Sequence, residues 1–416
     1  MGHTVAKDIY RKLGKKIDGL RMRAPWNETF RAILKELYTT EEADLIVKMP
    51  YSLADFDRIQ KVTNYEPTKL RKLLDGLCSK GLVMDMWMMG GYRYMVSPLI
   101  IGIFEFTMMR TRGELKTKEW AKLFHEYMQD QRTFYSANFG HNEKVSVLRA
   151  LPWEETIDDS DYVEVLDYEK ASAILDSHKK FAIGICSCRH EKLHLGEKKC
   201  DVPLETCSTF GLSVDYMVKN GFAKEVSKSE MQENLARSRE LGLVLCADNN
   251  KKNISFICHC CGCCCNILLG ISKFGYPGIL VTSTFIASHD EDNCTDCGDC
   301  IEACPINAID EHVDNGPVIN ESICVGCGVC ALKCPSEALR LVKRKQRVLH
   351  PEDTFERIIL QCLEKGTLQN LLFDEPERLS HKFLRGFVGG FLKLPPVKKS
   401  LMSDRLRSSF LSTLRK

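Results

Sequence analysis

The chain has 416 residues, with 58 Lys and Arg against 56 Asp and Glu and a formal net charge of +2. At about 150 residues per domain, this length predicts roughly two to four domains. This near-zero net charge argues against a uniformly basic nucleic-acid-binding protein and against a protein with a long acidic tail. No apolar run reaches the length of about 18 residues typical of a membrane-spanning helix, and the first residues lack the apolar core of a signal peptide, so we expect a cytoplasmic protein.

Cysteine is the unusual component of the composition. The chain has 21 cysteines, and all but Cys78 and Cys362 lie between Cys186 and Cys334. Disulfide frameworks of such density are typical of short secreted chains, and this chain is neither short nor visibly secreted. Reduced thiols that are grouped in this way predict metal binding.

The first third of the chain predicts two segments: a basic N-terminal segment over 1–29, and a winged-helix-like module with a helical linker over 30–140. The module is predicted because helices are followed by two short strands around a glycine pair. The predicted elements are a helix capped by Ser52 and running to about Val62, a helix from Pro67 to Gly81, and strands at 82–88 and 92–96.

The helix that begins at Pro67 carries the cations Lys69, Arg71 and Lys72. In a DNA-binding winged helix these side chains could contact phosphates. The alternative is an ordinary solvated helix face on a module that binds protein. Because the whole chain is nearly neutral, we favour this alternative and do not expect a nucleic-acid partner.

Residues 141–285 predict a cysteine-rich α/β domain. A strand, a helix and a second strand predict a βαβ-like unit, and the first cysteines follow its last strand, where open α/β sheets place their sites. A capping box of Ser227 and Glu230 predicts the start of a later helix. The predicted strands are at 162–166, 181–185, 243–246 and 254–257, and the predicted helices are at 169–177, 209–220 and 228–241. The last two strands are predicted to form a hairpin around Asn249 and Asn250.

Ten cysteines of this domain are candidate metal ligands. They form two sets in sequence: Cys186, Cys188, Cys200 and Cys207, and then Cys258, Cys260, Cys261, Cys263, Cys264 and Cys265. Either the first set holds one cubane and four thiols of the second hold another, or both sets converge on one larger or unusual cluster. Zinc in at least one set is a third alternative. One or two further iron–sulfur clusters are therefore expected here.

Three other residues have expected roles near these thiols. Arg189 would offset thiolate charge, and His190 and His259 would be ligands or hydrogen-bond donors to ligands. We expect Cys78 and Cys246 to be buried apolar residues.

Residues 286–345 carry the strongest motif of the chain, C-x2-C-x2-C-x3-C-P, which occurs twice with an offset of 30 residues. An internal duplication of this kind is not explained by two zinc sites, which need only pairs of C-x2-C. The eight cysteines are Cys294, Cys297, Cys300 and Cys304 in the first copy and Cys324, Cys327, Cys330 and Cys334 in the second.

This segment resembles the bacterial dicluster ferredoxins. The resemblance implies two [4Fe–4S] clusters in which the fourth cysteine of each copy binds the other cluster. One cluster would be held by Cys294, Cys297, Cys300 and Cys334, and the other by Cys324, Cys327, Cys330 and Cys304. Gly298 and Gly328 fit a close approach of backbone amides to cluster sulfur.

The order of all these segments resembles a group of multi-cluster iron–sulfur proteins from anaerobic microbes. In that group a winged-helix-like segment precedes a C-x-C-R motif, a CxCC-type cysteine run and a dicluster ferredoxin domain. The resemblance spans most of 30–345 and implies iron–sulfur clusters, but it implies little about a substrate.

Residues 346–416 predict a helical basic tail. From 378 to 416 the chain has ten Lys and Arg against Asp404 alone, a local charge of +9. A helical wheel of 378–394 separates cations from Leu and Phe, which is typical of a segment that lies on an anionic membrane surface or docks on an acidic partner. Docking on the cysteine-rich domain of the same chain is the alternative. We therefore expect a cytoplasmic protein whose tail could attach it to the inner face of the membrane.

These observations predict an iron–sulfur electron-transfer protein, with an α+β multidomain fold, that passes low-potential single electrons between a redox donor and a partner oxidoreductase. The sequence has no P-loop and no dinucleotide-binding glycine motif, so electrons would arrive from another protein. Two alternatives remain: an iron–sulfur reductase with a catalytic central cluster, and a redox-sensing winged-helix regulator.

Overall fold

The computed structural model describes residues 2–112, 115–130, 133–140, 145–158, 166–312, 316–345 and 350–414. The described chain contains both helices and strands, as predicted for an α+β protein. It divides into two compact units. The first unit comprises Met1–Asn138, Lys219–Gly221 and Phe355–Lys416, and the second comprises Phe139–Val218 and Phe222–Thr354. Both cysteine-rich segments belong to the second unit. Among the described helices, none is long and apolar enough to cross a membrane.

The first unit is mainly helical, with one small antiparallel sheet. Its strands are β1 (Ala54–Asp55), β2 (Val83–Met88) and β3 (Gly91–Val96), in the order β1-β3-β2. The predicted hairpin around the glycine pair is confirmed. The helices of the N-terminal part are Gly2–Asp18, Glu28–Leu37, Thr40–Lys48, Phe56–Thr63, Pro67–Ser79, Phe104–Met109, Thr117–His125 and Thr133–Asn138.

One helix of this unit begins later than predicted. Asp55, not Ser52, is the N-cap of the helix Phe56–Thr63, and its carboxylate accepts a hydrogen bond from the Arg58 amide. The predicted start was wrong because β1 keeps the preceding residues extended against β3. Ser52 instead donates a hydrogen bond to the carboxylate of Asp374.

The tail of the chain also belongs to the first unit. Its helices are Thr354–Lys365, Leu368–Leu372, Leu379–Leu392, Pro395–Leu401 and Asp404–Leu414. They share an apolar core that includes Ile359, Leu363, Leu368, Leu392 and Leu411. The helical character of the tail is therefore confirmed for its described residues, and its buried side packs within the first unit.

The second unit is built on a seven-stranded sheet with the order β10-β4-β8-β9-β6-β5-β7. Only the pair of β10 and β4 is parallel. The strands are β4 (Leu148–Leu151), β5 (Phe181–Ile185), β6 (Glu205–Phe210), β7 (Ala223–Val226), β8 (Val244–Asp248), β9 (Phe256–Cys260) and β10 (Leu280–Val281). The helices are Ala171–Asp176, Ser187–Leu195, Leu212–Lys219, Lys228–Glu240 and Asn266–Ser272.

This sheet corrects one prediction and confirms two. The predicted βαβ-like unit depends on a strand at 162–166, most of which lies outside the described residues, and the two described neighbours of β5 are antiparallel to it. The helix predicted from Thr209 begins only at Leu212, because Gly211 has a φ of +61° and the residues before it belong to β6. The capping box of Ser227 and Glu230 and the hairpin of β8 and β9 are confirmed.

The segment with the duplicated motif has a duplicated structure. Strand β11 (Phe285–His289) pairs with β14 (Leu339–Lys343), β12 (Ile309–His312) pairs with β13 (Gly316–Ile319), and short helices cover Asp299–Ala303 and Val329–Leu332. Residues with positive φ recur at the same offset of 30 residues. They are Asp296 and Gly326, Gly298 and Gly328, and Asn307 and Glu337. The two copies therefore share their backbone turns.

Candidate metal centre

Four thiols of the duplicated segment line one cavity of about 300 Å³. They are Cys294, Cys297, Cys300 and Cys334. The first three precede and begin the short helix Asp299–Ala303, and the fourth comes from the end of the second copy. Gly298 turns the chain between them with a φ of +79°. The cavity thus brings together the four thiols that the crossed ligand pattern assigns to one cluster.

The fourth thiol of the first copy lies among the thiols of the second. Burial raises the pKa of Cys304, and the charge of Cys324 raises it further. Burial, followed by the charges of Cys324 and Cys304, also raises the pKa of Cys330 to about 12. The Cys304 thiol therefore faces the triplet that begins at Cys324.

The two sites differ in exposure to solvent. Cys297 is exposed, whereas Cys324, Cys327 and Cys330 are buried. The backbone carbonyl of Cys327 accepts a hydrogen bond of 3.1 Å from the Trp153 amide, which covers the second site from the side of the large sheet. The site around Cys297 consequently opens to solvent, and the site around Cys327 faces the protein interior.

The surface around the exposed site is acidic. From 274 to 332 the chain has ten Asp and Glu and no Lys or Arg. Six of these acidic side chains are exposed and flank or separate the first three cysteines: Asp290, Glu291, Asp292, Asp296, Asp299 and Glu302. We call these six residues the acidic rim. A negative surface of this kind attracts cationic molecules over distances up to the Debye length.

The large sheet places three further cysteines side by side. Cys246 on β8 is the register partner of Cys258 on β9. The pairing of Ser208 with Ile257 puts Cys207 of β6 opposite Cys258 on its other side. The three thiols form a row across adjacent strands. Cys246 is buried as predicted, and it also lies beside a candidate ligand, because the observed register differs from that of a hairpin that turns at Asn249 and Asn250.

Four more thiols extend this row into a continuous network. The thiols of Cys186, Cys188, Cys265 and Cys260 are neighbours in series, and Cys260 is also a neighbour of Cys246 and Cys258. The interaction with the Cys188 thiol and burial raise the pKa of Cys186 well above its usual value. We call the seven residues the sheet thiol group: Cys186, Cys188, Cys207, Cys246, Cys258, Cys260 and Cys265.

The remaining central thiols form a separate and tighter group. The Sγ atoms of Cys200, Cys261, Cys263 and Cys264 all lie within 4.8 Å of one another. A hydrogen bond from Cys264, together with the charge of Arg189, lowers the pKa of Cys261 below its usual value. We call these four residues the turn thiol group. The structure thus separates Cys200 from its sequence neighbours Cys186, Cys188 and Cys207.

Arg189 and His259 connect the two groups. The fully buried guanidinium of Arg189 donates to the carbonyls of His259 and Pro203 and to the hydroxyl of Thr206. Both ring nitrogens of His259 bond serine hydroxyls, at 2.8 Å to Ser208 and 2.7 Å to Ser238. Burial lowers the pKa of His259 to about 3. These contacts make His259 a neutral structural residue, so the thiols remain the candidate ligands at this place.

The turn thiol group also lies against the duplicated segment. A Cβ atom on Gly262 would come within 2.7 Å of the Pro305 carbonyl oxygen, so the two backbones are in direct contact. Trp153 bridges the same region, since its indole nitrogen donates to the Leu243 carbonyl at 3.0 Å while its amide bonds Cys327. The central thiols and the buried ferredoxin-like site are therefore packed neighbours within the second unit.

In the first unit, two of the three cations that could contact phosphates in a DNA-binding winged helix have partners in the protein. Lys69 forms an ion pair with Glu41, and the guanidinium of Arg71 lies 4.4 Å from the Phe56 ring centroid. These contacts reduce the positive charge that this helix face would offer to a nucleic acid.

The tail helix Leu379–Leu392 exposes its apolar face. The exposed fractions are 80% for Leu379, 74% for Phe383, 72% for Phe387 and 55% for Phe391. Residues spaced by four lie on one side of a helix, so these side chains form a continuous stripe. The helical wheel predicted that Arg385 belongs to an exposed cationic face. In the structure its guanidinium is instead partly buried and donates to the Phe373 and Glu375 carbonyls.

Residues 293–339 match the family model of the 4Fe-4S dicluster domain. The match covers all eight cysteines of the duplicated motif, so the chain is an iron–sulfur protein with a ferredoxin-like segment. No curated protein and no solved structure matches the chain.

Proposed function

We propose that the chain is an electron-transfer protein that passes low-potential single electrons between a redox donor and a partner oxidoreductase. The proposal is supported by the dicluster match and by the cavity that is lined by three thiols of the first copy of the motif and one thiol of the second. When bound, [4Fe–4S] clusters with four cysteine ligands supply one-electron exchange at low potential. The proposed ligands are the two crossed sets, Cys294, Cys297, Cys300 and Cys334, and Cys324, Cys327, Cys330 and Cys304.

The observation that carries this function is the order of the thiol sites from surface to interior. Cys297 is exposed within the acidic rim, and Cys324, Cys327 and Cys330 are buried. Pro305 then contacts Gly262 of the central cysteine run. A partner with a basic surface would dock at the acidic rim, and the buried sites would connect it to the central thiols.

The sheet thiol group is the proposed site of one further iron–sulfur cluster. It has seven thiols in one network, more than the four ligands of an all-cysteine cubane. Cys246, Cys260 and Cys265 are buried. Buried thiols favour an electron-transfer site over the substrate-accessible cluster that the alternative of a reductase requires.

The winged-helix-like module is proposed to bind protein. Its support is the order of elements: a helix, β1, two helices, and the hairpin of β2 and β3. Trp87 and Met89 are exposed at the tip of this hairpin, with exposed fractions of 56% and 89%. The partners of Lys69 and Arg71 disfavour the regulator alternative. We keep the sequence boundaries at 30–140, 141–285, 286–345 and 346–416 as proposed domains.

We also propose that the tail helix attaches the chain to the cytoplasmic face of an anionic membrane. The exposed stripe of Leu379, Phe383, Phe387 and Phe391 would enter the boundary between headgroups and acyl chains. The local charge of +9 over 378–416 would add attraction to anionic lipid. An acidic protein partner would use the charge but would leave most of this aromatic stripe in water.

The electron-transfer proposal is tested by measuring how fast the reduced protein reacts with small oxidants of opposite charge. Hexaamminecobalt(III), a cationic oxidant, should react at a rate that falls as ionic strength rises, and Glu291→Gln with Asp292→Asn should slow it roughly twofold to fivefold at low salt. Ferricyanide, an anionic oxidant, should show the opposite salt dependence. Glu225→Gln with Glu233→Gln, two exposed carboxylates outside the rim, is the control. Equal effects of the two double variants would contradict entry at the acidic rim.

A further inference from the structure

We propose that the turn thiol group, Cys200, Cys261, Cys263 and Cys264, binds a single zinc ion in tetrahedral geometry. The Sγ atom of Cys200 is 3.7 Å from that of Cys261 and 3.9 Å from that of Cys264, and Cys263 is 3.5 Å from Cys264. Zinc–thiolate bonds of about 2.3 Å in a tetrahedron place neighbouring sulfurs about 3.8 Å apart. The group therefore has the dimensions of a site for one ion.

A cubane requires a different spacing. Its four thiolates bind four different irons at the corners of the cluster, so they stand further apart than thiolates that share one ion. Among the residues that the structure describes, the turn thiol group is the one set of three or more potential ligands with all ligand atoms within 4.8 Å. The ferredoxin-like thiols, all of which are described, are more widely spaced. The same chain thus contains both spacings.

The surroundings fit a closed structural ion. Cys261 and Cys264 are buried with Val202 and Leu243, and four thiol ligands would fill the tetrahedron, without the open position that a catalytic zinc keeps. Four thiolates around Zn²⁺ carry a net charge of −2, and the positive charge of the Arg189 guanidinium acts on Cys261. Binding replaces the thiol protons, which leave to solvent, and involves no redox change.

The ion would fix the contact between the two cysteine-rich segments. Cys200 follows the helix Ser187–Leu195, and it is 61 positions from Cys261, so the ion would cross-link distant parts of the second unit. Gly262 lies between two ligands and packs against Pro305. A rigid turn at this point would hold the neighbouring Cys304 in place. The sheet thiol group then remains for iron.

The test is metal analysis of the full-length protein purified anaerobically, with zinc X-ray absorption as the structural readout. We expect about one zinc per chain, bound by four sulfurs at about 2.3 Å. Cys200→Ser and Cys263→Ser should each reduce bound zinc to well below half while the iron of the ferredoxin-like segment is retained. Cys78→Ala, which removes a buried thiol of the first unit, should leave zinc unchanged.

Three results would overturn the proposal. The first is zinc bound by nitrogen or by fewer than four sulfurs. The second is protein without zinc that loses about four irons in Cys200→Ser, which would indicate a cubane. The third is a single iron in this site instead of zinc. Because absorption is measured on the unaltered protein, the proposal stays testable if a variant does not fold, and because zinc and iron are counted separately, it can fail while the electron-transfer role stands.

Discussion

Gly262 and Pro305 are in backbone contact, and this contact joins the central cysteine run to the ferredoxin-like segment. A Cβ atom at Gly262 would lie 2.7 Å from the Pro305 carbonyl oxygen and 3.0 Å from its Cα. Backbone atoms cannot move aside as a flexible side chain can. The chain therefore needs glycine at this position, which lies between Cys261 and Cys263 of the turn thiol group and packs beside the residue that follows Cys304.

We predict that Gly262→Ala separates the two segments. The overlap should cost about 1–3 kcal/mol and displace Cys304, so iron content should fall by up to one cubane, or about four irons. Iron analysis and EPR of the reduced protein measure this loss. Gly278→Ala is the matched control, because a Cβ at Gly278 would meet nothing within 4 Å. Equal iron content in the two variants would contradict the role of the contact.

The crossed ligand pattern predicts that each fourth cysteine serves the opposite triplet. Cys304→Ser should damage the cluster of Cys324, Cys327 and Cys330 and leave that of the first triplet intact, and Cys334→Ser should do the reverse. EPR of the two reduced variants distinguishes the clusters, since their environments differ in exposure. Damage by each variant to the cluster of its own triplet would show that the pattern is not crossed.

The tail helix is predicted to bind vesicles that contain anionic lipid. Burial of each phenyl ring contributes about 2 kcal/mol, so Phe383→Asp with Phe387→Asp should weaken binding on the order of 100-fold or more. Co-sedimentation with anionic and with neutral vesicles measures the effect. Met89→Asp with Leu212→Asp, which changes two exposed apolar residues elsewhere, should bind as the unaltered chain does. Binding that survives loss of the stripe would indicate charge alone and favour an acidic partner.

Glu105 predicts a pH dependence of stability in the first unit. Burial raises the pKa of Glu105 to about 7, although its carboxylate accepts a hydrogen bond of 2.9 Å from the Gly102 amide. The folded protein then holds a proton that the unfolded chain has lost between about pH 4.5 and pH 7, so this contribution to stability decreases as pH rises through that window.

Glu105→Gln keeps an acceptor for the Gly102 amide but does not titrate. The variant should therefore be more stable than the unaltered chain at pH 8, and this difference in stability should disappear near pH 4.5. We expect a difference on the order of 2 kcal/mol, less than the full pKa shift implies, because the side chain keeps some contact with solvent. Tm measured across this range tests it, with the exposed Glu119→Gln as control. A difference that does not change with pH would contradict the assignment to Glu105.

Local signals in the sequence predicted much of the fold. The turns at Gly298 and Gly328 follow from the repeated motif, and the start of the helix after Ser227 follows from its capping box. Both features depend on residues that are close in sequence. The helix predicted from Thr209 failed because pairing of β6 with its neighbours outweighed helical periodicity.

The grouping of the central thiols depended on contacts that a sequence pattern does not contain. Cys207 lies beside Cys258 through the register of β6 and β9, and Cys200 reaches Cys261 across a long loop. Sequence spacing put Cys200 with Cys207, whereas tertiary structure separates them. Cys246 lies beside Cys258 for the same reason, because a two-residue turn at Asn249 and Asn250 would instead have paired it with Asn253.

We propose that the chain carries three iron–sulfur clusters, two in the ferredoxin-like segment and one in the sheet thiol group. The most direct test is the count of iron and acid-labile sulfide in full-length protein purified anaerobically, with EPR of the reduced form. If the central cluster is a cubane, we predict about 12 irons with equal sulfide and signals from interacting [4Fe–4S] clusters. About eight irons, with signals from two clusters alone, would contradict the central cluster, and zinc in place of iron at the duplicated motif would contradict the electron-transfer function itself.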